Sequence, residues 1–144
     1  MDWNNSTGEY RIEHWRHFRN TLVTLTETEL LSAVARYYAS APFVTRTMDF
    51  YDPTSWLTPW EILNYGLYCR SAISLMIYYT LVLAKNTPNI SLLLIDDGNE
   101  IYLVTLVNNQ LVLNYDLGKI THLDMMVGVE IKAEFTTDQL KKIN

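Results

Sequence analysis

The sequence predicts an α+β fold, with helices first and an antiparallel sheet after them. Two capped helical patterns and a long buried one occupy the chain up to about Lys85, whereas after Pro88 β-branched and apolar runs alternate with turn signals. No repeat, low-complexity tract or Gly/Ser linker divides the two halves.

Glu9 to Asn20 is polar with Tyr10, Trp15 and Phe18 interspersed, which predicts a short helix. Thr26 followed by Glu29 reads as a capping box opening a helix with Leu30, Leu31, Val34 and Tyr38 on one face, closed by Pro42. Thr58 is a candidate N-cap with Pro59 at the first helical position and Glu61 three residues on. That helix runs through Ile62 and Leu63 to a stop at Gly66. Cys69 starts a further helix, to about Lys85, whose apolar residues surround its axis, so burial on most sides is expected. Ile90 to Ile95, Glu100 to Val107 and Gln110 to Asp116 then read as strands, with Asn108-Asn109 as a two-residue hairpin turn. Met125 to Phe135 is another strand, and Thr136 to Gln139 opens a short C-terminal helix.

The 144 residues fit one domain, 1–144, and the 49% hydrophobic content suits a packed core rather than disorder. A formal charge of −5 without any basic run gives no pull towards nucleic acid or anionic lipid. One cysteine, Cys69, excludes an internal disulfide framework. The opening residues lack the features of a signal peptide, and the apolar run Ala72 to Ala84 is too short to span a bilayer, so a cytoplasmic location is the expectation. The Asn-x-Ser/Thr triplets at Asn4, Asn5 and Asn89 are then chance matches.

The segment Trp56-x-Thr58-Pro59-x-Glu61-x-Leu63-x-x-Gly66-x-x-Cys69 resembles the signature of the bacterial transglutaminase-like cysteine proteinases, a branch of the papain-like fold. In that family a Trp-x-Thr-Pro-x-Glu stretch leads into Gly-Gly-Asp-Cys-Glu-Asp and a buried helix. Tyr51-Asp52-Pro53 and the helix before it also look like the family, and the resemblance covers roughly residues 28 to 118. It implies N-terminal helices and a central Cys-bearing helix packed on an antiparallel sheet. It also implies a cysteine nucleophile at a helix N-terminus, where the dipole favours thiolate. A His on a following strand would take the thiol proton, and an Asp or Asn on the next strand would orient the imidazole.

This chain departs from that pattern at the chemistry. Its histidines are His14, His17 and His122, and none lies between Cys69 and Asp116. A two-residue loop pairs Asp116 with Ile101, and a slip of one residue pairs it with Tyr102, so the family's His falls near Glu100 or Ile101. Tyr68 replaces the Asp before the cysteine; Arg70 and Ser71 replace the acidic pair after it. Asp116 or Asn114 could still stand where the third triad member does. Arg70 holds its proton at any working pH, and Glu100 near the thiol would raise the thiol's pKa.

Each candidate carries two readings. Cys69 is a surviving nucleophile or a small buried residue under the sheet. His122 is a relocated base or part of a surface connection. His14 and His17, three apart beside Glu13, could hold a metal, but no third ligand is near and a solvated helix face is the simpler reading. The cluster from Asp96 to Glu100 lacks the ligand spacing of a calcium loop and reads as a turn. Trp56, Trp60, Tyr65 and Tyr68 line a binding groove or pack the short helix against the core.

Two functions follow. The first is a catalytically inactive transglutaminase-like domain whose old cleft, with Trp56, Trp60, Tyr68, Arg70, Glu100 and Asn114, binds a protein or peptide; such a module would suit a host-interacting virus or phage protein. The second is an active cysteine peptidase or acyl-transferase using Cys69, Asp116 and His122. Neither needs a cofactor or a metal. A structural protein joined through an exposed sheet edge is a third, plainer reading.

Overall fold

The computed structural model describes residues 1–46, 48–66, 68–84 and 89–140. Four α-helices precede a five-stranded antiparallel sheet among these residues. Helix α1 (Gly8–Thr21) is capped by Thr7, and α2 (Glu27–Tyr37) carries the Thr26/Glu29 capping box in full. The second capping box, Thr58/Glu61, opens α3 (Pro59–Tyr65), which ends at Gly66 in the left-handed region, φ 71°. Helix α4 (Arg70–Leu83) follows. Its expected end at Lys85 lies outside the described residues.

The sheet is ordered β4-β3-β2-β1-β5. Its strands are β1 (Ile90–Asp96), β2 (Ile101–Val107), β3 (Leu111–Leu113), β4 (Ile120–His122) and β5 (Glu130–Phe135). The elements differ from expectation in several places, and β5 is the shortened form of the expected strand Met125 to Phe135. Helix α2 stops at Tyr37, well before Pro42. Strand β3 ends at Leu113 because Asn114 turns left-handed, φ 71°. Residues 120–122 form an extra strand, which exists by pairing with β3. Among the described residues, the C-terminal segment makes a 3-10 turn, Thr137–Gln139, rather than an α-helix.

Helix α4 sits between the sheet and the other helices, and its residues from Ser71 to Leu81 are all buried. Ile73, Met76 and Leu81 join Leu92, Leu94 and Leu103 of the sheet and Trp15, Leu31 and Val34 of the helices in one apolar core. Burying such side chains is worth about 2 kcal/mol each and supplies the main drive for this layering. A smaller cluster covers the outer sheet face, where Leu93, Ile95, Tyr102, Val104 and Val112 meet Met126 and the partly buried Tyr115 and Leu123.

Two polar knots fix α4. On the helical side, Thr80 Oγ1 donates to Met76 O and accepts from Trp15 Nε1 (3.0 Å) and the Tyr38 hydroxyl (2.7 Å). A hydroxyl offers one proton and two lone pairs, so this knot is complete. On the sheet side, Leu103 N–H donates to Ser71 Oγ (3.0 Å), Ser74 Oγ donates to Leu103 O (2.6 Å), and Thr105 Oγ1 donates to Ser74 O (2.8 Å).

The turn into α4 is held by a buried cation. Arg11 Nε donates to Leu63 O (2.7 Å) and its Nη2 to Asn64 O (3.1 Å), at the end of α3 where carbonyls and the helix dipole favour positive charge. A Cβ at position 66 would stand 3.2 Å from that guanidinium, so Gly66 answers both a positive φ and a close approach.

Candidate functional site

Cys69 is the N-cap of α4, and its Sγ accepts from Ala72 N–H at 3.4 Å. The thiol is 2% exposed and lies at the base of a cleft of about 240 Å³. One wall is the segment Phe43 to Arg46, joined by Phe50. The backbone anchors that wall: Phe43 bridges to Tyr68 in parallel, and Val44 N–H donates to Tyr68 O at 3.2 Å. The opposite wall is the start of β2, with Glu100, Ile101 and Tyr102.

The second wall is an open sheet edge. On β2, strand β3 reaches only Thr105 to Val107, so on the side away from β1 the described residues place no strand beside 101–104. Leu103 turns its N–H and C=O to Ser71 and Ser74 instead. Backbone direction alternates along a strand, so the amide and carbonyl of Ile101 face the same way, towards the cleft.

Arg70 is the most tied-down charge here. Its guanidinium forms an ion pair with Glu100, donates through Nη2 to Tyr115 O (2.8 Å), and covers the Tyr102 ring at 3.7 Å. Cation, carboxylate, carbonyl and ring therefore lock the helix start to the outer cluster. Burial raises the phenol pKa of Tyr102 and of Tyr68 above the ordinary range, so both hydroxyls stay neutral at working pH.

Asn114, rather than Asp116, meets the cysteine helix. Its Nδ2 donates to Arg70 O (2.9 Å) and Ser74 Oγ (2.8 Å). Three residues separate the paired Val107 and Leu111, so the expected pairing of Asp116 with Ile101 does not form; the continued register would face it with Tyr102, but β3 has already ended. Asp116 lies instead on an exposed turn, 3.7 Å from Lys119 Nζ.

No histidine reaches the cleft. His122 pairs with Leu111, which pairs with Val107 at the far end of β2, about 20 Å along the strand from Ile101. His14 Nδ1 is 2.8 Å from the Tyr37 hydroxyl, and His17 lies 3.2 Å from Glu13 on an exposed face of α1. In the Asp96–Glu100 turn, Asp96 accepts from Gly98 N–H, and Asp97 from Asn99 and Glu100 N–H.

The aromatics singled out from the sequence mostly face elsewhere. Trp56 is buried, donates to Asp49 O (2.6 Å) and packs on Phe135. Tyr68 is buried against Trp3, Trp60 meets Trp15 edge-on, and Tyr65 is exposed. The cleft therefore gathers Cys69, Arg70 and Glu100, with Asn114 behind them. It adds Phe43, Arg46, Phe50 and Tyr102, for which local sequence pattern offers no signal because a nonlocal backbone bridge sets the 43–46 wall.

No family model matches the chain, and no curated protein matches it by sequence. Solved structures do. Legionella pneumophila LapG superposes with a TM-score of 0.74 at 15% identity, covering 90% of this chain and 74% of that one. The fold is transglutaminase-like. The calcium-bound form of LapG gives 0.72 at 13% identity, covering 96% of this chain and 84% of its own. An EGTA-treated form gives 0.75 at 15%, covering 90% and 74%. The α+β architecture expected from the sequence, a cysteine-bearing helix against an antiparallel sheet, is the one observed. Among the described residues no helix is long and apolar enough to cross a membrane.

Proposed function

We propose that this transglutaminase-like chain holds a polypeptide in the Cys69 cleft without cutting it. The supporting observation is the set of groups around the thiol. The cleft is lined by Arg70, Glu100 and Tyr102, with no imidazole among its described lining residues. Glu100 is already claimed by Arg70. A positioned general base contributes on the order of 10² to 10⁴ in rate, so a cleft without one is poorly equipped for thiol catalysis. It is well equipped for binding, having an open strand edge, an anchored facing wall and exposed apolar side chains, Phe43 and Val44, at its rim.

Calcium, which one LapG structure contains, has no evident place in this reading. Among the described residues no three His, Cys, Asp or Glu side chains converge as a metal site.

Thiol reactivity tests the proposal. Iodoacetamide should alkylate Cys69 of the native protein at neutral pH more slowly than in the urea-unfolded chain. Native labelling faster than that of an ordinary free thiol would overturn a non-catalytic role. A second reading keeps a cysteine hydrolase or acyl-transferase whose base comes from a partner protein. The place of Cys69 as N-cap of the 14-residue α4, lining the cleft, supports it. Full biological activity of Cys69→Ala would eliminate that reading.

A further inference from the structure

Building on the peptide-holding role, we propose that Arg46 selects an extended segment carrying a carboxylate side chain. The cleft contains two guanidinium groups and one carboxylate. Arg70 and Glu100 neutralise each other, and Arg70 is further held by Tyr115 O and the Tyr102 ring. Arg46 stands on the opposite wall with its guanidinium 4.8 Å from the Phe50 ring centroid. No acidic residue pairs with it among the described residues. Phe50 is only 5% exposed, so the ring is a fixed platform that orients the guanidinium without using its N–H donors. An arginine held in this way presents a planar fork matched to a carboxylate.

The surroundings restrict the occupant. The chain as a whole carries −5, so a cleft with one unneutralised cation is a local positive site on an acidic protein. The Ile101 edge offers main-chain pairing to an extended strand, and Phe43 and Val44 offer apolar contact to residues flanking the acidic one. An acidic residue between β-branched neighbours fits all three features. The segment adds to the edge of β2 at Ile101 and points its carboxylate across the cleft to Arg46.

The test uses two synthetic heptapeptides, Thr-Val-Thr-Glu-Val-Thr-Val and the same sequence with Gln for Glu. Each is titrated into the ¹⁵N-labelled full chain and followed by amide shifts. The Glu peptide should shift amides around Arg46, Phe50 and Ile101, bind about tenfold more tightly than the Gln peptide, and weaken as salt rises. Arg46→Gln, with the remaining amide spectrum unchanged, should bring the two peptides to the same affinity. Equal binding of both peptides by the wild-type cleft would overturn the selectivity while leaving the peptide-holding role in place. A Glu preference that survives in Arg46→Gln would do the same. Absence of any shift at cleft amides with either peptide would overturn both. Mass spectrometry of the recovered peptides separates the remaining case: cleavage would overturn the non-catalytic role but not the Glu preference.

Discussion

Helix α4 is anchored at two places, and they differ in what they leave undone. At Thr80 the hydroxyl itself is fully matched: it gives its proton to Met76 O and receives those of Trp15 and Tyr38, all of them buried. Around Cys69 the side towards the sheet is equally complete, through Ser71, Ser74, Thr105 and Asn114. The side towards the cleft is not: a strand edge ends without a neighbour, and Arg46 has a ring beneath it but no counter-ion among the described residues. A saturated buried knot is architecture, because nothing remains for a ligand to satisfy. Incomplete pairing at the rim of a rigid cleft is where recognition can be placed.

The knot should carry the stability. Thr80→Val keeps the shape but leaves the Trp15 N–H and Tyr38 O–H buried without an acceptor, and should cost about 3 kcal/mol in urea unfolding. Thr80→Ser keeps the hydroxyl and should lose about 1 kcal/mol for the missing methyl. Equal losses in the two variants would mean that packing, not hydrogen bonding, holds this end of α4.

At the other anchor, Asn114 supplies two hydrogen bonds from a left-handed backbone, φ 71°. Asn114→Ala removes the bonds and adds strain at positive φ, for a loss of about 2 kcal/mol. Asn114→Gly removes the bonds alone and should be less damaging by about 1 kcal/mol. If the two variants unfold at the same urea concentration, backbone conformation does not help to place Asn114 against α4.

How much of this was legible follows the range of the interactions. The capping boxes at Thr26/Glu29 and Thr58/Glu61 were readable because their partners lie three residues apart. The burial of α4 was readable from apolar residues all around its axis. Strand β4 was hidden because Ile120-Thr121-His122 looks like a polar connection and becomes a strand only against β3. The choice between Asn114 and Asp116 turned on where β3 stops, and so on one residue's φ. Arg46 and Phe50 lie in a stretch without periodicity, brought to the cleft by a bridge to Tyr68 that no local pattern encodes.

The smallest effect on stability should come from the charges of the cleft. Arg70 and Glu100 are paired, but the Glu100 side chain is 51% exposed, and exposed ion pairs contribute little against solvent screening and side-chain entropy. Glu100→Gln should therefore lower stability by less than about 1 kcal/mol, with the difference shrinking further at high salt. Arg70 should keep its place, since Tyr115 O and the Tyr102 ring still hold it. A loss comparable to that of Thr80→Val would show that the ion pair is an architectural anchor, and the contrast between a closed knot and an open cleft would fail at that point.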